Sequence, residues 1–533
     1  MPSIRAHGRA APAAYTWLWL GPLLFMLAVG LYFVSRYAGR WAEADTATFT
    51  QYIRQLLQTG RLAPVGAQVY PNGYAYQAIS AFIVATTGLD VAALQQLVYP
   101  LVAALIVLPA WLLYRELTGS ARGAALATML LLTQPEFLFV SLRSSHEKFT
   151  RTLLLLCLYL LTHSFKLRNR PWAFAIHVGL FYLCAFALIA SNNLLAHSFI
   201  FAVAVALALA WLLERRGSTT RGNALLQRLP YAMLICLGLD YLFTFYSYPP
   251  AQHDLLVLRN IWERIAALLL DVQTRSTNPY IQVAEGWVSL PVYFTVSLAN
   301  WLVLGVSFAI WARQGWRWLR TGQAPSTPTA LLLWLLYASF ALQGALTVAA
   351  DASGALSSNL QHRIFPSFAI VAVGVVGARV PEILAQRPDR RYRYGLAGAI
   401  ACLAVLAAFK ASNEPILSNK WTFYRDGELA AIAWSDAHLR DATVWTEFDE
   451  RLTVALMTAR GELLDRSGTS ANGNRFTGHD RSATVREYLL TDVTRLRASR
   501  LREPLPAPAD ALRVYDNGMA ELYHARPQTP YQK

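Results

Sequence analysis

The chain has 533 residues, of which 55% are hydrophobic and only 15% charged, yet its formal net charge is +15. At a mean hydropathy of +0.32 it has too little polar surface for the several soluble domains this length would form. Its basic residues punctuate apolar runs instead of clustering on a polar face, which excludes a nucleic-acid binder. The class that remains is an integral membrane protein.

A transmembrane helix needs about 20 apolar residues. In chain order, such runs fall near 15–34, 91–114, 121–140, 149–165, 171–190, 194–213, 229–247, 288–312, 329–350, 364–380 and 394–410, which predicts about eleven spans. Basic residues mark alternate connections: Arg5 and Arg9; Arg115 and Arg122; Lys166, Arg168 and Arg170; Arg215, Arg216, Arg221 and Arg228; Arg313, Arg317 and Arg320; and Arg387, Arg390, Arg391 and Arg393. The positive-inside rule then predicts a multi-pass cell-membrane protein with a cytoplasmic N-terminus. Residues 1–410 form the membrane domain and 411–533 an extracytoplasmic α/β domain. The charge divides accordingly: 1–410 hold 31 of the 47 Lys+Arg and 15 of the 32 Asp+Glu.

Two outer loops are long, 35–90 and 248–287. In the first, Phe49, Tyr52, Ile53, Leu56 and Leu57 repeat at helical spacing, predicting an amphipathic helix at the interface that starts at Asp45 and ends at Gly60. In the second, 254–271 is apolar but carries Arg259, Glu263 and Arg264, and is placed on the membrane surface, with a twelfth span as the alternative. Cys157, Cys184, Cys236 and Cys402 all lie in apolar runs and read as small hydrophobes. Beyond the last span, Trp421–Leu439 reads as a helix, Ala442–Trp445 as a strand, Ser467–Ser482 as a loop, and Arg513–Tyr515 with Met519–Tyr523 as a hairpin around Asp516-Asn517-Gly518.

The acids are few enough to weigh singly, and charges in or near a bilayer are functional candidates by default. Most fall on the predicted outer face, and three sets stand where a loop meets a helix: Glu43-Ala44-Asp45, Ser145-His146-Glu147 and Gln282-Val283-Ala284-Glu285. Carboxylates converging from three loops, with an imidazole beside them, suit a hard divalent cation such as Mg²⁺ or Mn²⁺. Glu136 and Asp240 lie inside spans, where they either line a cavity or pair with buried donors. His177 and His197 read as satisfied core residues.

Glu43-Ala44-Asp45 resembles the Glu-x-Asp of the first outer loop in the catalytic subunit of oligosaccharyltransferases, membrane glycosyltransferases of the GT-C class. Tyr70-Pro71-Asn72-Gly73-Tyr74 is similar to that family's Tyr-Pro-x-Gly segment, and Ser145-His146-Glu147 stands where the family has Asp-x-Glu. Gln282-Val283-Ala284-Glu285 is similar to its Ser-Val-x-Glu, and Gln361-His362-Arg363-Ile364-Phe365-Pro366 to the arginine-containing start of a late span. The chain departs from the family at Ser145, in having eleven spans for thirteen, and at Val444-Trp445-Thr446-Glu447-Phe448-Asp449, which replaces the sequon-reading Trp-Trp-Asp-Tyr-Gly.

The resemblance implies a GT-C-like fold and transfer of a sugar or oligosaccharide from a polyprenyl-(di)phosphate carrier to a protein or glycan acceptor. Asp45, Glu285 and Glu43 are the implied catalytic acids, Asp45, Glu147 and His146 the implied metal ligands, and Arg363 and His362 the implied donor-phosphate site. Plainer readings stand beside these: Asp45 as a helix cap, His146 as an interfacial polar group, Glu147 as a solvated helix start, Arg363 as a side chain snorkelling to the headgroups. At the level of the whole chain, the alternatives are a GT-C monosaccharide transferase acting on lipid, polysaccharide or protein hydroxyls, a transporter or flippase, and a non-enzymatic envelope scaffold.

Overall fold

The computed structural model describes residues 17–38, 44–62, 73–167, 169–215, 222–246, 289–322, 327–352, 360–386, 390–412, 423–439, 449–459, 486–501, 510–525 and a few short stretches between them. The apolar runs fold into helices α1 (Leu20–Tyr37), α2 (Ala44–Thr59), α3 (Ala75–Thr87), α4 (Val91–Thr118), α5 (Ala121–Leu132), α6 (Pro135–Leu142), α7 (Glu147–His163), α8 (Pro171–Ser191), α9 (Asn193–Arg215), α10 (Gly222–Tyr246), α11 (Leu290–Val296), α12 (Leu298–Thr321), α13 (Pro328–Ala352), α14 (Leu360–Ala385) and α15 (Arg390–Ser412). Among the described residues seven are long and apolar enough to cross a membrane, or nine if each of two bent pairs is one span. The protein is a multi-pass helical membrane protein.

Two predicted spans are not straight. Helices α5 and α6 meet at 73°, and α11 and α12 at 65°. Pro135 lacks the N–H that would continue α5 and instead opens α6. At the break the Leu131 carbonyl accepts from the Gln134 N–H at 3.1 Å, and the Leu130 carbonyl from Thr133 Oγ1 at 2.8 Å and Gln134 Nε2 at 2.9 Å. The predicted spans near 149–165 and 229–247 fall on α7 and α10. Helix α7 has 17 residues and opens with Glu147 and Lys148; α10 has 25 and contains Pro230.

Close packing comes from small residues. Helices α5 and α14 approach at Gly123 and Gly377, where an added Cβ on either would overlap the backbone oxygen of the other, as expected where a membrane interface depends on close backbone contact. Around them Tyr114 of α4 donates to the Ile370 carbonyl of α14 at 2.8 Å.

The first loop holds one helix more than expected, α3. Helix α2 presents the predicted face, but Phe49 and Ile53 are wholly buried against Tyr76, Leu94, Tyr99 and Phe149 instead of resting on lipid. Gly60 ends α2 at φ +65°. In 248–287 few residues are described; Arg259 and Glu263 pair there one helical turn apart at 2.7 Å. Of the cysteines, Cys157 and Cys236 are buried, while Cys402 is exposed.

After α15 come α16 (Asp426–His438), β1 (Val444–Trp445), α17 (Glu450–Ala459), β2 (Phe476–Thr477), β3 (Arg486–Thr491), α18 (Asp492–Leu501), β4 (Leu512–Asp516) and β5 (Ala520–Ala525). The strands form one sheet in the order β2-β1-β3-β5-β4, with β1 parallel to β3 and the other pairs antiparallel. The β4–β5 hairpin turns at Gly518, φ +82°, as the Asp-Asn-Gly sequence predicts. The loop expected at 467–482 lies outside the described residues except for 476–477, which are strand β2.

Candidate functional site

The predicted site residues fall into two groups. Glu43 and Glu285 lie outside the described residues. Asp45 is in the first turn of α2. One turn further along that helix, the Phe49 ring packs edge-on to the His146 ring at 5.1 Å, so the Asp45 helix runs up to the turn that carries His146 and Glu147. Gly73 closes this region: it sits at φ +135° with no room for a Cβ against the Ala190 carbonyl, to which the Tyr74 N–H donates at 2.8 Å.

His146 and Glu147 are both buried at the start of α7. His146 Nε2 lies 2.5 Å from Asn192 Nδ2. The Glu147 carboxylate is 2.6 Å from Arg143 Nη2 and lies in the field of Arg151 and Arg363 as well. Arg151, 1% exposed, bonds to Ser367 Oγ and donates from Nη2 to the Arg363 carbonyl at 2.8 Å, which ties α7 to the first turns of α14. The Arg363 side chain is exposed. One carboxylate thus faces three guanidiniums, an excess of positive charge that suits an anion.

A divalent cation asks for several oxygen ligands. Among the described residues no group of three or more His, Cys, Asp and Glu side chains converges, and Glu147 is already balanced by guanidiniums. His146 and Glu147 by themselves do not make a site for a dication.

The second group surrounds a cavity of about 400 Å³ between α11, α12, α13 and α14. Its walls are apolar and aromatic, with Phe294, Trp301, Phe308, Tyr337 and Phe368 among them, and its polar groups include Glu136, Ser297, Asn300, Gln361 and His362. His362 Nε2 is 2.8 Å from Glu136 Oε2, and the other Glu136 oxygen accepts from Lys410 Nζ at 2.7 Å. Asp351, fully buried at the end of α13, accepts from the backbone N–H groups of Leu360 and Gln361 at 2.9 and 2.8 Å and so caps the helix that carries His362 and Arg363.

Sequence reasoning singled out His362 and Arg363 but assigned Glu136 no role and passed over Arg143, Arg151, Asp351 and Lys410. The available signal was the rarity of charge inside apolar runs: Glu136 and Lys410 each stand in one, and each is the other's partner. Glu136 both lines a cavity and pairs with buried donors. Asp240 is paired as well, 3.0 Å from His197 Nε2.

No family model and no curated protein sequence matches the chain. Solved structures do. The Archaeoglobus fulgidus oligosaccharyltransferase in complex with zinc and sulfate aligns with a TM-score of 0.55 at 12% identity, over 84% of this chain and 61% of that one. The same organism's oligosaccharyltransferase AglB with an inhibitory peptide and a dolichol-phosphate aligns at 0.53 and 11%, over 84% and 64%. ArnT from Cupriavidus metallidurans, bound to undecaprenyl phosphate, aligns at 0.53 and 12%, over 96% and 98%. The chain spans about three-fifths of the archaeal protein's length and nearly all of ArnT's. The chain shares the fold of these solved structures, an oligosaccharyltransferase-like GT-C fold.

Proposed function

We propose that the protein transfers a sugar or oligosaccharide from a polyprenyl-(di)phosphate carrier to a protein or other acceptor at the outer face of the membrane. The observation that carries this reading is the aromatic cavity ending in His362 and Glu136, next to a cluster in which guanidiniums outnumber carboxylates. An apolar chain with an anionic head needs both halves. In the neighbouring structures, AglB is in complex with a dolichol-phosphate and ArnT is bound to undecaprenyl phosphate.

In this scheme an acceptor nucleophile attacks the anomeric carbon, and the carrier phosphate leaves with the electrons of the broken bond. Arg363 and His362 bind the oxygens of the leaving phosphate, where guanidinium matches phosphate bidentately. Asp45, with Glu43 and Glu285, orients the acceptor and takes its proton. A divalent cation, Mg²⁺ or Mn²⁺, would need Asp45 among its ligands in addition to His146 and Glu147, and when bound would stabilise charge on the departing phosphate. The predicted orientation, with a cytoplasmic N-terminus and the C-terminal sheet outside, belongs to the same proposal.

A second reading, a single sugar moved onto lipid, polysaccharide or protein hydroxyls, has its own support at Val444–Asp449. There Val444 and Trp445 are a sheet strand, and the Asp449 carboxylate is committed to Arg451 at 2.6 Å rather than to an acceptor.

The test is Asp45→Ala in membranes supplied with lipid-linked donor. Transfer should fall to background while the protein inserts and purifies normally; undiminished transfer would overturn the reading.

A further inference from the structure

Lys410 is 5% exposed and Glu136 8%, both inside the helical bundle. Buried charge of this kind is costly and is retained where it has work to do. The pair is placed where both bent spans break. Glu136 is in the first turn of α6, just past the 73° bend, and Ser297 is the hinge of the 65° bend. Lys410 Nζ reaches both, at 2.7 Å each, and lies 4.6 Å from the centre of the Tyr293 ring. All three of these partners line the cavity. The second oxygen of Glu136 crosses to α14 and meets His362 at 2.8 Å, on the cavity wall.

We infer that Glu136 and Lys410 are positioning residues for a lipid phosphate: Lys410 balances the Glu136 carboxylate across the two bends, and Glu136 fixes the His362 ring at the polar end of the cavity. The chemical group they serve is the phosphate of a polyprenyl carrier, whose oxygens the His362 ring meets when Glu136 holds it in place. The inference rests on the functional reading above.

The experiment uses the purified full-length protein in nanodiscs, with undecaprenyl phosphate and undecaprenol as paired probes and thermal stability followed in parallel. Wild type should prefer the phosphate. Glu136→Gln should cut that preference by on the order of ten-fold, the loss expected for one charged hydrogen bond, with undecaprenol binding unchanged. Lys410→Arg should retain the preference. Because Lys410→Met alone leaves a buried carboxylate unpaired and risks misfolding, the decisive variant is the charge-neutral double substitution Glu136→Gln with Lys410→Met. Positioning predicts that it folds and still loses the phosphate preference. If the double variant discriminates as wild type does, the network is only a clip between helices and the inference is overturned. A wild type that shows no preference for the phosphate sinks the functional reading itself, and this inference with it.

Discussion

Gly73 and Arg151 are residues whose neighbours leave no alternative. Gly73 combines φ +135° with direct contact on the Ala190 carbonyl, so Gly73→Ala should cost about 1–3 kcal/mol of backbone strain and overlap. It should lower the melting temperature in detergent; an unchanged melting curve would show that the chain relaxes there freely. Arg151 is buried and holds Ser367 and the Arg363 carbonyl while facing Glu147. Replacing it with Met removes both bonds to α14 while Glu147 keeps Arg143, at a cost of about 1.5–3 kcal/mol. Arg151→Lys should recover part of that stability; equal melting curves for the two variants would show that the guanidinium's bonds across to α14 add nothing. Of the seven residues paired here, Glu147, His146, His362 and Arg363 were marked by position and by the family resemblance. Arg143 stands only four residues before Glu147, whereas Arg151 and Asn192 were invisible because pairing across helices is a property of the fold.

At the scale of elements, the broken spans carry polar groups of the cavity. A straight helix in lipid satisfies every backbone group internally and offers only side chains. The breaks after Leu132 and at Ser297 expose polar groups instead, and Lys410 collects them at one end of the cavity. Pro135 announced the first break, whereas no residue near Ser297 forced the second. Helix α14 depends on Asp351, whose two oxygens take its first backbone N–H groups. Asp351→Ala should cost about 0.5–2 kcal/mol as the loss of a helix cap. It should also weaken donor binding, because His362 and Arg363 stand in the turn that the cap orders. Donor affinity equal to wild type would separate the cap from the site.

Across the whole molecule, the C-terminal part meets the membrane helices at a seam by the end of α1, and its helix α17 also packs on α2. The end of α1 joins the start of the C-terminal part: Tyr37 packs on Phe423 at 5.1 Å, Tyr424 N–H donates to the Arg40 carbonyl at 2.8 Å, and Arg40 pairs with Asp426. Behind the seam Arg451 is buried between Glu428 at 2.9 Å and Asp449 at 2.6 Å. Burial works against its charge, but the two carboxylates outweigh that and hold its pKa above the ordinary arginine value. A guanidinium with a raised folded pKa stabilises the fold at every pH below its unfolded value, so this network should not weaken across the neutral range. Arg451→Met leaves two buried carboxylates facing each other, at a cost of about 3–5 kcal/mol. Limited proteolysis should then cut beyond residue 423 while the membrane helices remain protected; cleavage spread evenly along the chain would show that the two cores are not separable.

Hydrophobic run length and local turn chemistry were enough to place the helices, the α2 face and the Asp516–Gly518 hairpin, because span length, helical periodicity and positive φ are local properties of consecutive residues. Helix α3, the bend at Ser297 and the burial of α2 under protein instead of lipid were decided by packing. The pairings Glu136 with Lys410 and His362, Glu147 with Arg143 and Arg151, and Asp351 with α14 were decided there too. Each joins residues on different helices or across a turn, and a buried charge takes whichever partner the tertiary structure brings within reach. The low charged fraction told where to look for function, and the fold decided which of those charges meet.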